Sequence, residues 1–213
     1  NNGLTIEDLA SFWQAIAKEF STFKNIYGYG LMNEPHDLAP ETKWFDMAQA
    51  SINAIREVDT NTLIMVGGND WSSAERWIEQ SDTLKFLKDP ANNLAFEAHV
   101  YFDKDASGTY KYSYEEEECY PEKGIDRVKP FVEWIKQNKF HGFIGEYGIP
   151  DNDPRWNETL DLFLGYLQEN GINGTYWAAG PWWDTYFMAI TPKDGKDRPQ
   201  MPIIEKYTST LKK

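Results

Sequence analysis

Apolar side chains recur every three or four positions over residues 4–23, where Leu9, Phe12, Ile16 and Phe20 predict one face of an amphipathic helix. The pattern then shortens. Residues 26–32 form a compact apolar strand with two glycines that runs into Asn33-Glu34-Pro35. Residues 41–58 return to helical spacing, with Phe45, Ala48, Ile52 and Ile55 on one side. The alternation continues along the chain. Strands are predicted at 62–67, 94–102, 142–145 and 174–178. Between and after them come a broken helical stretch at 72–87, helices at 124–138 and 154–170, and a final helix beyond Pro199. The strand segments are short and apolar on both faces, as parallel strands covered by helices are.

Five strands, each followed by a helix and about 30–50 residues apart, fit either a (β/α) barrel or a doubly wound sheet. No Gly-x-Gly-x-x-Gly follows a strand, so the nucleotide-binding form of the doubly wound sheet has no support. A full eight-stranded barrel usually takes about 250 residues. This chain has 213, opens on a helix and yields five strands, which matches the later part of a barrel.

Composition narrows the functional classes. An apolar fraction of 41% excludes a disordered chain, and no apolar run reaches the roughly 20 residues of a membrane helix. The net charge of −13 opposes nucleic acid as a partner. A single cysteine, Cys119, excludes an internal disulfide and any multi-thiolate zinc site. The start at Asn1-Asn2-Gly3 reads as processing or truncation, so the lack of a signal peptide does not argue for a cytoplasmic home. Nine tryptophans are well above what an average protein of this length carries, and flat indoles serve both as core and as platforms for the C–H faces of sugar rings.

Two strands end in glutamate. One reads Leu31-Met32-Asn33-Glu34-Pro35 and the other Ile144-Gly145-Glu146-Tyr147-Gly148. In a parallel barrel the C-terminal strand ends share one mouth, so both carboxyls are expected there. Either glutamate alone would be an ordinary solvated strand end; two in matching contexts favour catalysis. Between them, His99 and Tyr101 stand two apart on a strand and so on one face. The last strand delivers Trp177, with Trp182 and Trp183 close behind in the sequence.

Asn-Glu-Pro, then His-x-Tyr, then Gly-Glu-Tyr-Gly, then a strand-end Trp: this ordered set resembles glycoside hydrolase family 5, most closely its endo-β-1,4-glucanases (cellulases). The resemblance runs essentially from end to end. It implies an α/β fold, the (β/α)8 TIM barrel, with Asn33-Glu34-Pro35 closing strand four. Residues 1–213 would be the C-terminal portion of one catalytic domain, helix 3 through helix 8, lacking strands one to three. Carried over residue by residue, Glu34 matches the acid/base and Glu146 the nucleophile of a retaining enzyme. Asn33 matches the residue that bonds the sugar 2-hydroxyl. His99 and Tyr101 match the pair beside the reacting sugar, with Tyr101 orienting Glu146, and Trp177 matches the platform beneath that sugar. Trp71 and Trp182 are further binding candidates.

The resemblance also implies a β-glucan substrate, no metal or organic cofactor, and secretion, since an insoluble polymer cannot enter a cell. Related enzymes draw an Arg and a His from the early strands. The expected partner is therefore the missing N-terminal segment of the same barrel or a second chain. A β-mannanase or other β-glucanase on the same fold is the nearest alternative. A non-catalytic glucan-binding fragment is the next, and an unrelated doubly wound protein the last.

Other signals are read as structural. Asp103–Gly108 imitates the start of a calcium loop, but its twelfth position is Tyr114 where a bidentate Glu is needed, so a polar loop is expected. The run Glu115–Glu118 is expected to be solvated. His36 and His141 are taken as surface or strand-start residues. Cys119 is a candidate for a disulfide to the missing part. Asn157-Glu158-Thr159 spells a glycosylation acceptor inside a predicted helix.

Overall fold

The computed structural model describes residues 5–38 and 43–208. Expectations that fall on Leu4, Glu41 and the termini lie outside these residues. Among them, five strands alternate with helices: β1 Gly28–Gly30, β2 Leu63–Gly67, β3 Leu94–His99, β4 His141–Tyr147 and β5 Asn173–Tyr176. They form one sheet in sequential order β1-β2-β3-β4-β5, and the pairs β1–β2 and β2–β3 are parallel. Sequential parallel strands joined by helices are the βα repeat that the alternating pattern predicts. The chain divides into two compact units, residues 1–98 with 133–143, and residues 99–132 with 144–213.

In the first unit, α1 (Ile6–Phe20) starts at a capping box in which Thr5 and Asp8 exchange side-chain and backbone hydrogen bonds. Its inward residues are Leu9 and Ala17, with Trp13 and Ile16 half-buried. The expected face is corrected here: Phe12 and Phe20 are exposed. Phe12 and Trp13 are adjacent in sequence, so the apolar period admits two faces, and α1 turns the Trp13 side inward. There the Trp13 indole N–H reaches the Leu31 carbonyl at 3.0 Å. Helix α2 (Trp44–Arg56) buries Ala48, Ile52 and Ile55 as its spacing predicts, and adds Trp44, whose N–H bonds the Gly67 carbonyl at 2.7 Å.

Where α2 ends, Arg56 is clamped in a buried ion pair with Asp89 (2.7 and 3.0 Å) and also bonds the carbonyls of Asp59 and Thr62. This guanidinium staples the α2–β2 turn to the loop before β3. In the same unit Trp77, Phe96 and Trp134 pack edge-to-face, with Phe140 tilted against Phe96.

The second unit is centred on Phe131, Ile144, Ile149, Trp156 and Phe163, all essentially fully buried. The helix Arg155–Glu169 carries Trp156, Leu160, Phe163, Leu164 and Leu167 inward, and Tyr207 of the last helix, Met201–Tyr207, bonds Asp161. Strand β5 departs from the expectation of buried strands, since Asn173, Gly174 and Thr175 are exposed. Beside it lies a groove of about 660 Å³ whose apolar lining includes Leu164, Leu167, Ile172, Ile190 and Ile204.

Two loops also differ from expectation. The acidic run is not uniformly solvated: Glu117 is buried and accepts the backbone N–H groups of Lys104 and Tyr112. The stretch 72–87 is broken more sharply than its pattern suggests: it leaves a left-handed turn at Asp70–Ser72 and divides into a short helix Trp77–Ser81 and a 3-10 turn Asp82–Phe86.

Candidate active site

Glu146 is the penultimate residue of β4. Backbone bonding fixes this strand end on both sides: Val100 N–H donates to the Glu146 carbonyl at 3.0 Å, and Trp177 N–H to the Tyr147 carbonyl at 2.8 Å. The Glu146 side chain is largely enclosed, and the Tyr101 hydroxyl donates to its Oε2 at 2.7 Å. His99 Nδ1 lies 3.7 Å from the same oxygen. Strand β3 stops at His99, so Tyr101 comes from the loop beyond it; both residues nonetheless converge on one carboxylate oxygen.

The Tyr101 phenol is pushed far above its usual range by burial, and further by the charge of Glu146 and the bond to it. It therefore stays neutral and remains a donor. The loop that carries it is anchored by Arg127, whose guanidinium bonds the carbonyls of Tyr101 and Lys104. Tyr110 adds a second anchor. Its buried hydroxyl accepts from Phe102 N–H at 2.9 Å and donates to the Gly148 carbonyl at 2.6 Å, while its ring packs edge-on to Trp156.

Asp103 holds the remainder of this loop. Its buried carboxylate takes the N–H groups of Gly108, Thr109 and Tyr110 and the Ser107 hydroxyl. Protein donors thus fill the acceptor sites that a calcium loop would offer to the ion.

Trp177 follows β5 directly and is half-buried, its ring meeting Trp183 edge-on at 4.9 Å. A cis peptide joins it to Ala178. Gly148 is required here, because a Cβ would collide with the Trp177 carbonyl. Trp182 is 89% exposed on the one-turn 3-10 helix Pro181–Trp183. Cys119 is a free thiol, partly covered, and burial pushes its pKa up. Thr159 of the glycosylation-like triplet is fully buried.

In the first unit, Glu34 lies beyond β1, half-buried and in the left-handed region at φ 48°, with Asn33 exposed and Pro35 buried. A non-glycine residue in that region costs about 1–2 kcal/mol, the kind of strain that collects at functional sites. Gly67 at the end of β2 lets this loop come close, since a Cβ there would sit 3.0 Å from the Met32 carbonyl. Trp71 follows β2 in a left-handed run, Asp70 (φ 54°), Trp71 (φ 56°) and Ser72 (φ 55°), and is 44% exposed. His36, which the sequence offered only as a surface residue, stacks on the Trp71 ring at 4.4 Å and 15°. With Pro35, Trp44 and Asp70 the stacked pair lines a cleft of about 390 Å³. His36, Arg127 and Tyr110 are the site residues that sequence reasoning missed. Only the nearness of His36 to Glu34 could have signalled the first.

Residues 1–182 match the family described as Cellulase (glycosyl hydrolase family 5). The chain belongs to glycosyl hydrolase family 5. Among curated members of the family, it is 36% identical over 193 residues to endo-beta-1,4-glucanase B of Emericella nidulans, covering 88% of this chain and 56% of that protein. The crystal structure of Pseudomonas stutzeri endoglucanase Cel5A in complex with cellobiose superposes with a TM-score of 0.90 at 42% identity, over 97% of this chain and 62% of that one. XacCel5A in complex with cellopentaose gives 0.87 at 37%, over 98% and 67%. The chain thus spans roughly three-fifths of the length of these relatives, and its five βα units are part of the (β/α)8 barrel of family 5.

Proposed function

We propose that this chain is the C-terminal catalytic portion of a retaining endo-β-1,4-glucanase, with Glu146 as nucleophile and Glu34 as acid/base. The observation that carries the reading is the short bond from a buried neutral tyrosine to the strand-end Glu146 in a family 5 chain. A donor at 2.7 Å favours the ionised form of a carboxylate and aims one oxygen, which is what a nucleophile needs.

Glu146 attacks the anomeric carbon while Glu34 gives its proton to the departing glycosidic oxygen. A retaining site of this kind sets its two carboxyls about 5–5.5 Å apart. Once Glu146 is esterified its charge is gone, Glu34 has become a carboxylate, and it takes a proton from the water that releases the sugar. In this reading Asn33 bonds the sugar 2-hydroxyl, and His99 lies beside the reacting sugar with Tyr101. Trp177, Trp71 and Trp182 offer ring faces to a glucan chain. The substrate is cellulose or a related β-glucan, and the protein acts outside the cell. Among the described residues no helix is long and apolar enough to cross a membrane.

The remaining βα units of the barrel, from an N-terminal segment or a second chain, would pair the exposed β5 and fill the apolar groove beside it. A glucan-binding role without turnover is the second reading, favoured by the solvent-facing rings of Trp71 and Trp182.

The test is release of the aryl group from an aryl β-cellobioside by the full natural protein and by Glu146→Gln, with the anomer of the first product followed by NMR. Turnover with a β-anomer product, lost in the variant, is expected. An α-anomer product or an active variant would refute the assignment. An inactive natural protein that still binds cellopentaose would establish the second reading.

A further inference from the structure

The left-handed run Asp70–Ser72 is costly, since none of its residues is glycine, and its backbone is held at several points. Arg76 pairs with Asp70, Asn69 N–H bonds the Ser81 hydroxyl at 2.9 Å, and Ser73 N–H bonds the Asp70 carbonyl at 3.2 Å. These contacts fix where the Trp71 Cα points. They do not fix the indole plane, which can still turn about its side-chain torsions.

The ring of His36 lies against that plane, 15° from parallel at a centroid distance of 4.4 Å. A carboxylate oxygen of Asp37 sits 3.0 Å from its Nδ1. His36 is also carried two residues after Glu34, on the same loop.

We infer that His36 is a positioning residue for substrate binding: by stacking on Trp71 it holds the indole at the angle at which its exposed face receives a pyranose ring of the β-glucan chain. The inference rests on the endoglucanase reading above and adds to it a residue that itself touches no sugar. A pyranose binds an aromatic face only when the two planes lie nearly parallel, so a freely turning indole gives up part of its affinity to ordering. A flat side chain at position 36 removes that freedom before the glucan arrives. It also couples the loop after β1 to the loop after β2, so that acid/base and platform keep a constant separation.

The experiment is a double-mutant cycle in the full natural protein with cellopentaose as substrate: His36→Ala, Trp71→Ala and the pair, with His36→Phe as the rescue. A positioning role predicts that His36→Ala raises KM about tenfold with kcat within about twofold, as expected for lost ground-state binding. It predicts further that His36→Ala has no added effect once Trp71 is alanine, and that His36→Phe, which keeps the flat ring, returns KM to within about threefold of the natural value.

A purely structural His36 would instead lower thermal stability and shift KM equally with and without Trp71, and that result overturns the inference. So does a KM unchanged by His36→Ala. Should the alanine variant lose its cooperative melting, His36→Gln supplies the same comparison, since it keeps polar bulk and loses the ring. If the natural protein does not cleave cellopentaose, the endoglucanase reading falls and takes this inference with it. If it does, failure of the cycle falls on His36 alone.

Discussion

Replacing Tyr101 by Phe removes one oxygen atom and little else. The ring stays between its neighbours, because its contacts with Tyr110 and with Gly108 are made by carbons. What disappears is the 2.7 Å bond to Glu146 Oε2. A hydrogen bond to a charged group contributes about 1.5–3 kcal/mol. The enclosure of both partners places this one in the middle of that range, about 2 kcal/mol, since water would replace the lost donor poorly. Without that donor the ionised form of Glu146 is less favoured, because a hydrogen bond to a carboxylate stabilises its charge.

The sign is definite. The bond favours the charged form, so its loss moves the acid limb of the kcat/KM profile to higher pH. At the optimum, where the carboxylate is ionised with or without the bond, kcat/KM for an aryl β-cellobioside should change less than it does on the acid side. The assay is a pH series from 3 to 8 on the natural protein and Tyr101→Phe, with melting temperatures measured in parallel. An acid limb that does not move would refute the claim that Tyr101 holds Glu146, the proposed nucleophile, ionised.

Three further outcomes follow from the packing. Asp89→Ala leaves Arg56 buried without its carboxylate and should destabilise the protein by about 3–5 kcal/mol, read from denaturant midpoints; a change below about 1 kcal/mol would refute the staple. Burial pushes Asp59 up, but the Thr62 hydroxyl, the Thr62 and Asn61 N–H groups and Tyr29 together outweigh it, bringing the pKa to about 2 from an ordinary 3.8. This depressed value gives stability, on the order of 2 kcal/mol, that is complete above pH 4 and lost as pH falls through 2. Asp59→Asn should therefore flatten acid unfolding in that window, and unchanged acid sensitivity would count against it. Gly148→Ala drives a methyl into the Trp177 carbonyl and should lower stability by about 1–3 kcal/mol while raising KM, whereas a variant with natural kinetics would show that the loop yields freely.

The strands were legible because apolar runs between helical periods are hard to mistake, and all five occur in the expected order. Their ends were not. Strand β1 shrinks from the expected 26–32 to Gly28–Gly30, since Tyr27 is exposed and Ile26 N–H turns back to the Phe23 carbonyl. The face of α1 was misjudged because the inward indole of Trp13 serves a backbone carbonyl that no helical period reveals.

Motif order anticipated which residues gather at the end of β4, and His99, which ends β3, and Tyr101, just beyond it, do meet on Glu146. How the loops are folded and fastened could not be anticipated. A left-handed turn without glycine carries no compositional mark, and the His36–Trp71 stack exists only because two loops far apart in sequence come together. Asp103 resembled an ion ligand because its partners are backbone N–H groups, which a side-chain pattern does not display.

Tyr110 carries a consequence for how tolerance to substitution is interpreted. Its one hydroxyl satisfies two buried backbone groups, Phe102 N–H and Gly148 C=O, on the loops that follow β3 and β4. Phenylalanine would orphan both at once, and no smaller side chain reaches them. In a saturation library selected for turnover, position 110 would therefore be depleted of nearly every alternative, much as the two proposed catalytic glutamates would be. Intolerance at a position then reports where the loops are fastened as readily as where a ligand is held, and only a binding measurement separates the two.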